Sequence, residues 1–417
     1  MPGPLHGIVV LDLTRILAGP WATQLLADYG AEVIKVENPS GGDDTRHWGP
    51  PWLRDASGRD TEEAAYYAAT NRGKRSIAID LAQPAGRDIV QGLARQADVL
   101  IENFKVGGLG AFGLADRDLR PLNPRLIYLS ISAFGQDGPR AAEPGYDAMI
   151  QGLGGLMSIT GVPDGEPGAG PQKVGVAVAD LMCGMYATTA LLAALQERHT
   201  SGRGQYIDLS LLDSQVAWLA NQNLNYLVTG RAPGRLGTAH PNIAPYQAFA
   251  AADGHLMLAV GNDAQFGRFC KVAGLDELAT DARFATNRSR IAHRAELVQR
   301  LTTVFATRTC DVWLTVLRDA QVPCGPINDL AQVFADPQVQ HLELYETRPG
   351  TDGAPVALLR HPVTLTDTPA VVGSGPPRSG AHTRAVLLEI GYSDDDVDAL
   401  LASGAASDRA DAPGWLT

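Results

Sequence analysis

Short apolar runs rich in β-branched residues alternate, along the first part of the chain, with segments of helical periodicity. The runs that predict strands cover residues 7–13, 31–37, 75–81, 97–103 and 125–135. Helical spacing lies between several of them, most clearly at residues 22–30 and 85–96. Strands that alternate with helices predict an α/β fold with a mainly parallel sheet covered on both faces. Ligands bind to such sheets beyond the carboxyl ends of the strands.

The pattern changes after about residue 221. Residues 230–249 are rich in glycine and proline and predict a long connection, while residues 247–262 predict a hairpin. A chain of 417 residues favours two domains. We therefore expect a smaller α+β domain inserted into a larger one. The predicted boundaries are 1–224 for the first part of the large domain, 225–328 for the small domain and 329–417 for the part that returns to the large domain.

One acid stands where an extended apolar stretch leads into a helical pattern. Asp180 precedes the apolar run Leu181–Leu195, which we interpret as a core helix because a membrane span needs about 20 residues. Helix capping alone explains an aspartate at this position. The apolar turn that follows, with Gly184 leaving space, also suits a carboxylate that attacks an activated acyl group. Spacing leaves both interpretations open.

Composition and charge narrow the class of partner. The net charge of −12 argues against a nucleic-acid partner, which would require clustered lysine and arginine. The four cysteines form no CxxC pair and stand near no histidine at ligand spacing, so we expect no metal site and reduced thiols in a cytoplasm. The first residues show no signal-peptide pattern, and we expect no membrane association.

A dinucleotide-binding enzyme is the first alternative suggested by the βαβ start. Glu37 ends the second predicted strand, where a ribose-binding acid would stand. The turn after the first strand reads TRILAGPWATQ and lacks the GxGxxG glycines that let the backbone approach a pyrophosphate. The sequence therefore argues against nicotinamide or flavin binding.

Several polar groups at predicted strand ends are candidates for ligand binding. Arg72, Lys74 and Arg75 surround a glycine before a strand and suit a phosphate, although a solvated turn is the more common explanation of such a trio. The segment that begins with Asn103, Phe104 and Lys105 offers an amide and a stacking face, or is a loop that needs its glycines for positive φ. Tyr146 and Asp147 precede a helix of small residues, where Asp147 fits an N-cap.

Taken in order, these segments resemble the class III CoA-transferases, the family of formyl-CoA transferase and carnitine CoA-transferase that also includes α-methylacyl-CoA racemase. The resemblance covers nearly the whole chain, including GIVVLDLTRILAGPWATQLLADYGAEVIKVE, NRGKRSIAIDL, ADVLIENF, PGYDAMIQGLGGLMSITG and VGVAVADLMCGMYATTALLAALQERH. It implies a Rossmann-like large domain built from both chain ends, a small domain and an interlocked homodimer. It also implies acyl-CoA and small carboxylic acids as substrates, without a metal or a permanently bound cofactor.

The resemblance assigns roles to individual residues. Asp180 matches the family's nucleophile, which is thought to form an anhydride with the donor acid and then an aspartyl-CoA thioester. The positions that match CoA contacts are Ile16, Leu17 and Ala18 after strand one, Ile79 and Asp80 near the adenine, Asn103, Phe104 and Lys105 at the pantetheine and phosphate loop, and Tyr146 and Asp147 near the thioester. Arg72, Lys74 and Arg75 are also assigned to CoA binding, because of their positive charge.

Departures from the family pattern bear on the substrate. Leu17 and Asn38 replace a glutamine and an arginine of formyl-CoA transferase, and the glycine run of its small domain is replaced by RLGTAHPNIAPYQ. This region looks more like the succinate–hydroxymethylglutarate CoA-transferases. We therefore expect short dicarboxylates as the acids between which CoA is transferred. A dicarboxylate leaves a second charge to be held, and Arg235 or His240 is the expected partner.

Two alternatives stay open at this point. The racemase uses a histidine in a GHD motif, where this chain has Tyr146, and a phenol with a pKa of about 10 is a poor base at neutral pH. The other alternative, from a different class, is a non-catalytic acyl-CoA binding protein. Exchange of CoA between acids would separate these three hypotheses.

Overall fold

The computed structural model describes residues 3–350 and 354–408, which fold into two compact units. The larger unit comprises Met1–Leu156, Val174–Arg231 and Glu343–Thr417, and the smaller unit comprises Met157–Lys173 and Ala232–Leu342. These boundaries differ from the predicted small domain at 225–328. Residues 409–417 of the predicted C-terminal part lie outside the described residues.

The difference arises from a segment without periodicity. Residues 157–173 belong to the smaller unit because they pair with the chain near residue 235. Gly237 N donates to Gly161 O at 3.1 Å, and the Arg235 guanidinium forms an ion pair with Asp164. Such contacts join positions far apart in the chain, so a local sequence pattern cannot predict them.

The strands are β1 Val9–Leu13, β2 Glu32–Glu37, β3 Trp52–Arg54, β4 Asp60–Ala64, β5 Lys74–Ile79, β6 Val99–Glu102, β7 Ile127–Ser132, β8 Tyr206–Ser210, β9 Tyr246–Ala250, β10 His255–Ala259, β11 Cys324–Pro326, β12 Tyr345–Pro349, β13 Pro355–Leu359 and β14 Ala406–Ser407. Each of the five predicted strand runs overlaps one of these strands. The predicted hairpin is also confirmed, since β9 and β10 pair antiparallel with Leu256 opposite Phe249.

The α-helices are α1 Ala18–Asp28, α2 Ala65–Ala68, α3 Pro84–Gln96, α4 Asp116–Leu119, α5 Asp147–Leu153, α6 Leu156–Ile159, α7 Val178–Ser201, α8 Leu211–Trp218, α9 Asn221–Thr229, α10 Asp263–Ala273, α11 Asp276–Thr280, α12 Asn287–Ala292, α13 Arg294–Phe305, α14 Cys310–Asp319, α15 Leu330–Ala335, α16 Pro337–Leu342, α17 Thr383–Glu389 and α18 Asp394–Ser403. Two short 3-10 helices, Asp44–His47 and Gly108–Phe112, lie in the larger unit.

A seven-stranded sheet in the order β14-β5-β2-β1-β6-β7-β8 forms the centre of the larger unit. The strands from β5 to β8 are parallel to their neighbours, and β14 pairs antiparallel with β5. The chain builds outward from β1 in one direction and then returns to place β6 on the other side. This reversal, between β1 and β6, is where ligands bind in Rossmann-like sheets.

The sheet is buried on both faces, as continuous apolar strands predict. In β1, Leu11 and Leu13 face a core that also receives α3, α17 and α18. Val10 faces the opposite core, which contains α1, α7 and α8. The alternation follows from strand geometry, because successive side chains point to opposite faces.

Helix α7 is the predicted core helix. It is long and apolar enough to cross a membrane by length and composition, with a mean hydropathy of 1.6 over the most apolar 18-residue window, and half of that window is buried inside the protein. Gly184 allows close packing on α1, since a Cβ there would lie 2.6 Å from Ala18 O and 2.9 Å from Trp21 Cδ1. The glycine therefore makes room for a neighbouring helix, whereas the sequence suggested space beside the acid.

The smaller unit has its own core. The three-stranded sheet β11-β10-β9 packs with α10, α13 and α14 around a cluster of aromatic residues. Phe305 stacks on Phe249 with ring centroids 4.6 Å apart and contacts Trp313 at 4.7 Å. Aromatic pairs of this geometry add to the free energy gained by burial.

Candidate active site

Loops at the carboxyl ends of β1, β6 and β7 line a cavity of about 440 Å³ in the larger unit. The loop after β1 contributes Arg15, Ile16, Leu17 and Ala18, and the loop after β6 contributes Asn103, Phe104, Lys105 and Val106. Residues 131–133 at the end of β7, residues 141–146, Asp180 and Leu211 complete the lining. The cavity therefore lies where the strand order reverses, as expected for an α/β sheet.

A buried ionic network supports the loop after β1. Lys35 Nζ donates to Asp43 Oδ2 at 2.9 Å and to Thr14 O at 2.8 Å, and both side chains of the pair are fully buried. The other oxygen of Asp43 accepts the backbone N–H of Ile16 at 3.2 Å. Ile16 has φ of 71°, a left-handed conformation that is costly for a β-branched residue. The network thus holds a strained backbone at the edge of the cavity.

The loop after β6 fixes the same backbone from the other side. Asn103 Oδ1 accepts the N–H of Arg15 at 3.1 Å, and Asn103 Nδ2 donates to Arg15 O at 2.8 Å. Asn103, which was predicted to contact CoA, therefore uses its side-chain amide to join the two loops. Its side chain orients Arg15, whose own guanidinium is exposed.

Asp180 lies in the first turn of α7, and its residue is 7% exposed, at the cavity wall. Burial, followed by the nearby negative charge of Asp147, raises the pKa of the Asp180 carboxyl to about 7. Within residues 3–350 and 354–408, no hydrogen-bond donor contacts this carboxyl group. Residues 174–177 form no strand, so the apolar stretch before Asp180 is a loop from which the helix starts.

Asp147, and not Asp180, caps helix α7. Asp147 Oδ1 accepts the N–H of Ala179 at 2.8 Å and that of Asp180 at 3.4 Å. Its other oxygen accepts from Gln151 Nε2 at 2.7 Å, and Gln151 Oε1 accepts from Val174 N at 2.8 Å. The prediction that Asp147 caps the helix that follows it is therefore wrong, because Tyr146 is the N-cap of α5 and Asp147 caps a helix distant in sequence.

The three basic residues expected at a phosphate do not line the cavity. Arg72 pairs with Asp28 at 2.5 Å, and Lys74 pairs with Asp12 at 3.1 Å, with each of these four side chains at most 5% exposed. Burial lowers the pKa of Lys74 to about 8, more than the charge of Asp12 raises it. These cations balance internal carboxylates, so the assignment to phosphate needs correction, and the alternative of a solvated turn is also wrong for them.

Arg75, the third basic residue, and the two residues predicted near the adenine lie elsewhere in the larger unit. Arg75 pairs with Glu32 at 2.6 Å and with Glu389 at 2.7 Å on the surface. Ile79 is 1% exposed within the core, and Asp80 accepts from Ala82 N at 2.9 Å. None of these three side chains lines the cavity.

Glu37, the acid considered under the dinucleotide alternative, is buried and pairs with Arg46 at 2.7 Å. It therefore has a structural partner. This agrees with the absence of a glycine-rich turn after β1.

The residues proposed to read the acceptor belong to the smaller unit. Arg235 Nε donates to Val162 O at 3.2 Å in addition to its ion pair with Asp164. His240 Nδ1 accepts from Asn242 N at 3.0 Å, and its ring stacks on Tyr246 with centroids 5.2 Å apart. His240 thus shapes its own loop, as the histidine before a proline suggested.

Sequence reasoning missed some of the cavity's lining. Arg15, Ser132 and Glu143 face the cavity but were not among the predicted residues. The position of Arg15 carried a usable signal, because it is a cation in the loop after a parallel strand. Glu143 gave no comparable signal, since an acid in a loop is ordinarily solvated. Of the predicted residues, Ile16, Leu17, Ala18, Asn103, Phe104, Lys105, Tyr146 and Asp180 do line it.

Comparison with known proteins agrees with this geometry. Residues 5–383 match CoA-transferase family III. The chain is 52% identical, over 93% of its length and 96% of the relative's, to the succinate–glutarate CoA-transferase of Agrobacterium fabrum. It is 41% identical, over 96% and 90% of the two lengths, to the succinyl-CoA:glutarate CoA-transferase of Mus musculus. A solved CAIB/BAIF family protein from Brucella suis superimposes with a TM-score of 0.82 at 47% identity, covering 94% of this chain and all of that one (100%). The protein belongs to CoA-transferase family III.

Proposed function

We propose that the protein transfers CoA between short dicarboxylic acids, with succinate and glutarate as the first pair to test. The observation that carries the proposal is Asp180, a buried carboxylate that faces a cavity at the sheet's reversal point and meets no hydrogen-bond donor in the part of the chain that the structure describes. Membership of CoA-transferase family III supports the reaction class. The named activities of the relatives from Agrobacterium fabrum and Mus musculus support the pair of acids.

In the proposed reaction, Asp180 is the nucleophile. Its carboxylate oxygen attacks the carbonyl of the donor thioester, and the CoA thiolate leaves, giving a mixed anhydride. The thiolate then attacks the aspartyl carbonyl and releases the donor carboxylate, leaving an aspartyl-CoA thioester. The acceptor carboxylate repeats the two steps in reverse, which restores Asp180 and gives the new acyl-CoA. The thioester's free energy is kept only if water is excluded while the anhydride exists.

The two loops that meet at the strand reversal would bind CoA. We place the thioester beside Asp180 and the pantetheine arm along the loops after β1 and β6. Lys105 and Arg15 line the same cavity, and both have exposed side chains that could meet anionic groups. Arg72 and Lys74 are not part of this proposal because their charges are already balanced.

We further propose a cytoplasmic homodimer. Apolar side chains stand exposed on α9, where Leu227 is 71% and Val228 is 80% exposed. Large exposed apolar surface commonly marks an interface between proteins. Light scattering of the purified protein would measure the mass directly, and a monomer at micromolar concentration would refute the dimer.

The reaction is tested by incubating the protein with succinyl-CoA and a series of carboxylic acids and identifying the acyl-CoA products by mass spectrometry. Transfer to glutarate supports the proposal, and Asp180→Asn should abolish it while CoA still binds. Retention of appreciable turnover by Asp180→Asn would refute the role of Asp180. Exchange of an α-proton of a 2-methylacyl-CoA without CoA transfer would instead favour the racemase.

A further inference from the structure

The first backbone N–H groups of helix α7 donate to an acid that lies outside the helix. In most helices the N-cap side chain accepts the free N–H groups of the first turn, and an acid within that turn gains from the helix dipole, which favours its ionised form. The residue that precedes α7 is Ala177, which has no side chain able to cap the helix. The N–H groups of Ala179 and Asp180 instead donate to Asp147. A carboxylate from α5 has therefore taken the place of the missing N-cap side chain, while Asp180 stands in the first turn.

Asp147 is itself held in place. Gln151, one turn later on α5 and fully buried, donates to Asp147 Oδ2 at 2.7 Å and accepts from Val174 N at 2.8 Å. The Asp147–Gln151 pair thus fixes both the loop that enters α7 and the first amides of the helix. Because these contacts join α5 to the start of α7, they fix the backbone from which the Asp180 side chain projects.

From this arrangement we propose that Asp147 is a positioning residue for Asp180: it occupies the helix amides, leaves the Asp180 carboxylate without donors, and keeps it facing the cavity. The assignment rests on the proposed nucleophilic function of Asp180. It differs from the CoA contact that family resemblance implied for Asp147, because it places the effect of Asp147 on the acid and not on CoA.

The physical benefit lies in the change of charge during the reaction. Two carboxylates close together in a partly dry site repel each other while both are ionised. Acylation converts Asp180 into a neutral anhydride or thioester, so the repulsion from Asp147 disappears in the covalent intermediate. Asp147 therefore raises the free energy of the resting nucleophile relative to the acylated enzyme. A carboxylate that accepts no hydrogen bonds also loses none when it attacks.

Other groups that face Asp180 do not supply this effect. Cys183 lies on the same helix and Tyr66 lies near enough to sense the charge of Asp180, but both have raised pKa values and stay neutral near pH 7. Arg15, Lys105 and Glu143 line the cavity without an ion pair to Asp180. Asp147 is the acid that contacts the helix amides directly.

Two substitutions separate charge from capping. Asp147→Asn and Asp147→Ser both keep an oxygen that can cap the helix but remove the negative charge. For each variant, CoA binding is measured by calorimetry, and the rate at which succinyl-CoA plus hydroxylamine marks residue 180 is measured between pH 5 and 9. Glu197→Gln is the matched control, because it removes one charge from the exposed far end of the same helix.

The proposal expects CoA binding within about twofold of the native value, a labelling rate at least about tenfold lower on the alkaline plateau, and an acid limb displaced to lower pH. Asp147→Ala, which also loses the cap, should lose about a further tenfold, since small misplacements of reacting groups are costly. An unchanged pH limb and labelling rate in both capping variants would overturn the proposal, and so would loss of CoA binding in parallel with labelling. Failure of the native protein to label residue 180 would instead refute the proposed function on which the inference rests.

Discussion

Lys35 and Asp43 form a fully buried ion pair, 2.9 Å between Nζ and Oδ2, directly beneath the loop that opens the candidate active site. The same aspartate accepts the N–H of Ile16, the residue with left-handed backbone conformation. Burial lowers the pKa of Lys35, but the negative charges of several nearby carboxylates, Asp43 first among them, outweigh this effect and raise the pKa. The pair is therefore ionised, and it links the interior of the sheet to the shape of the cavity edge.

Removing one partner of this pair should be strongly destabilising. Asp43→Asn removes the direct ion-pair partner of the buried Lys35 charge, so we expect a loss of about 3–5 kcal/mol in the free energy of unfolding. The measurement is urea denaturation followed by circular dichroism. Asp44→Asn provides a neighbouring control, because Asp44 pairs with Arg15 on the surface and should change stability by less than about 1 kcal/mol. Similar losses in the two variants would show that burial of the pair is unimportant.

The raised pKa of Asp180 predicts a pH-dependent cost to stability. Burial, followed by the charge of Asp147, raises the pKa of this carboxyl in the folded protein from its ordinary value of 3.8 to about 7. Between these values the folded state binds the extra proton, so stability falls as pH rises, and the full cost is present above about pH 7. Asp180→Asn should therefore stabilise the protein at pH 8 by about 2–4 kcal/mol, since one pKa unit corresponds to about 1.4 kcal/mol.

The pH series supplies its own control for this variant. At about pH 4, where the carboxyl of Asp180 is protonated in the folded protein, the gain from Asp180→Asn should largely disappear. Urea midpoints at pH 4, 6 and 8 for the native protein and the variant give the comparison. A gain that is independent of pH would point to packing and not to ionisation.

Exposed cations at the cavity, and not the buried ones, should govern the affinity for acyl-CoA. Arg15→Ala and Lys105→Ala should each raise KM for succinyl-CoA about tenfold with a smaller effect on kcat, because a charge-assisted hydrogen bond is worth about 1.5–3 kcal/mol. The effect should weaken as salt is added. Arg72→Ala and Lys74→Ala should instead lower stability, because they leave Asp28 and Asp12 unpaired.

Arg75→Ala is the matched control for these kinetic variants. Its partners, Glu32 and Glu389, are exposed, and its side chain lies away from the cavity, so KM should stay at the native value. Native KM values for Arg15→Ala and Lys105→Ala would show that the phosphates of CoA are bound elsewhere.

The basic residues illustrate what sequence can and cannot predict. The strand runs and the position of the ligand site followed from apolar periodicity and from the rule for parallel sheets, and both agree with the structure. The partners of Arg72 and Lys74 lie 44 and 62 positions away, and only the tertiary fold brings Asp28 and Asp12 to them. The sequence therefore showed that basic residues cluster here, but it did not show which carboxylates would pair with them.

The cap of α7 illustrates the same limit. A local pattern identified both Asp147 and Asp180 as acids near helix starts, and for each it predicted a cap. In the structure, the first N–H groups of α7 donate to Asp147, which lies 32 positions before Ala179. Capping by a residue outside the helix's own sequence has no local signature. The freedom of the Asp180 carboxylate, which matters for the chemistry, was therefore not predictable from spacing.

The acceptor's second carboxylate provides the final prediction. A dicarboxylate must place its distal charge against a cation or several donors, because a buried unpaired charge is costly. The sequence-based hypothesis assigns this role to Arg235, whose guanidinium forms an ion pair with the exposed Asp164 in this structure and would have to exchange that partner for the substrate. Arg235→Ala should lower kcat/KM for glutarate at least about tenfold more than for valerate, a monocarboxylate of the same length. Asp164→Asn is the matched control, since it removes the ion pair but keeps the cation, and it should retain the preference for glutarate. Equal losses for both acids in Arg235→Ala would show that the residue supports its loop and does not read the substrate.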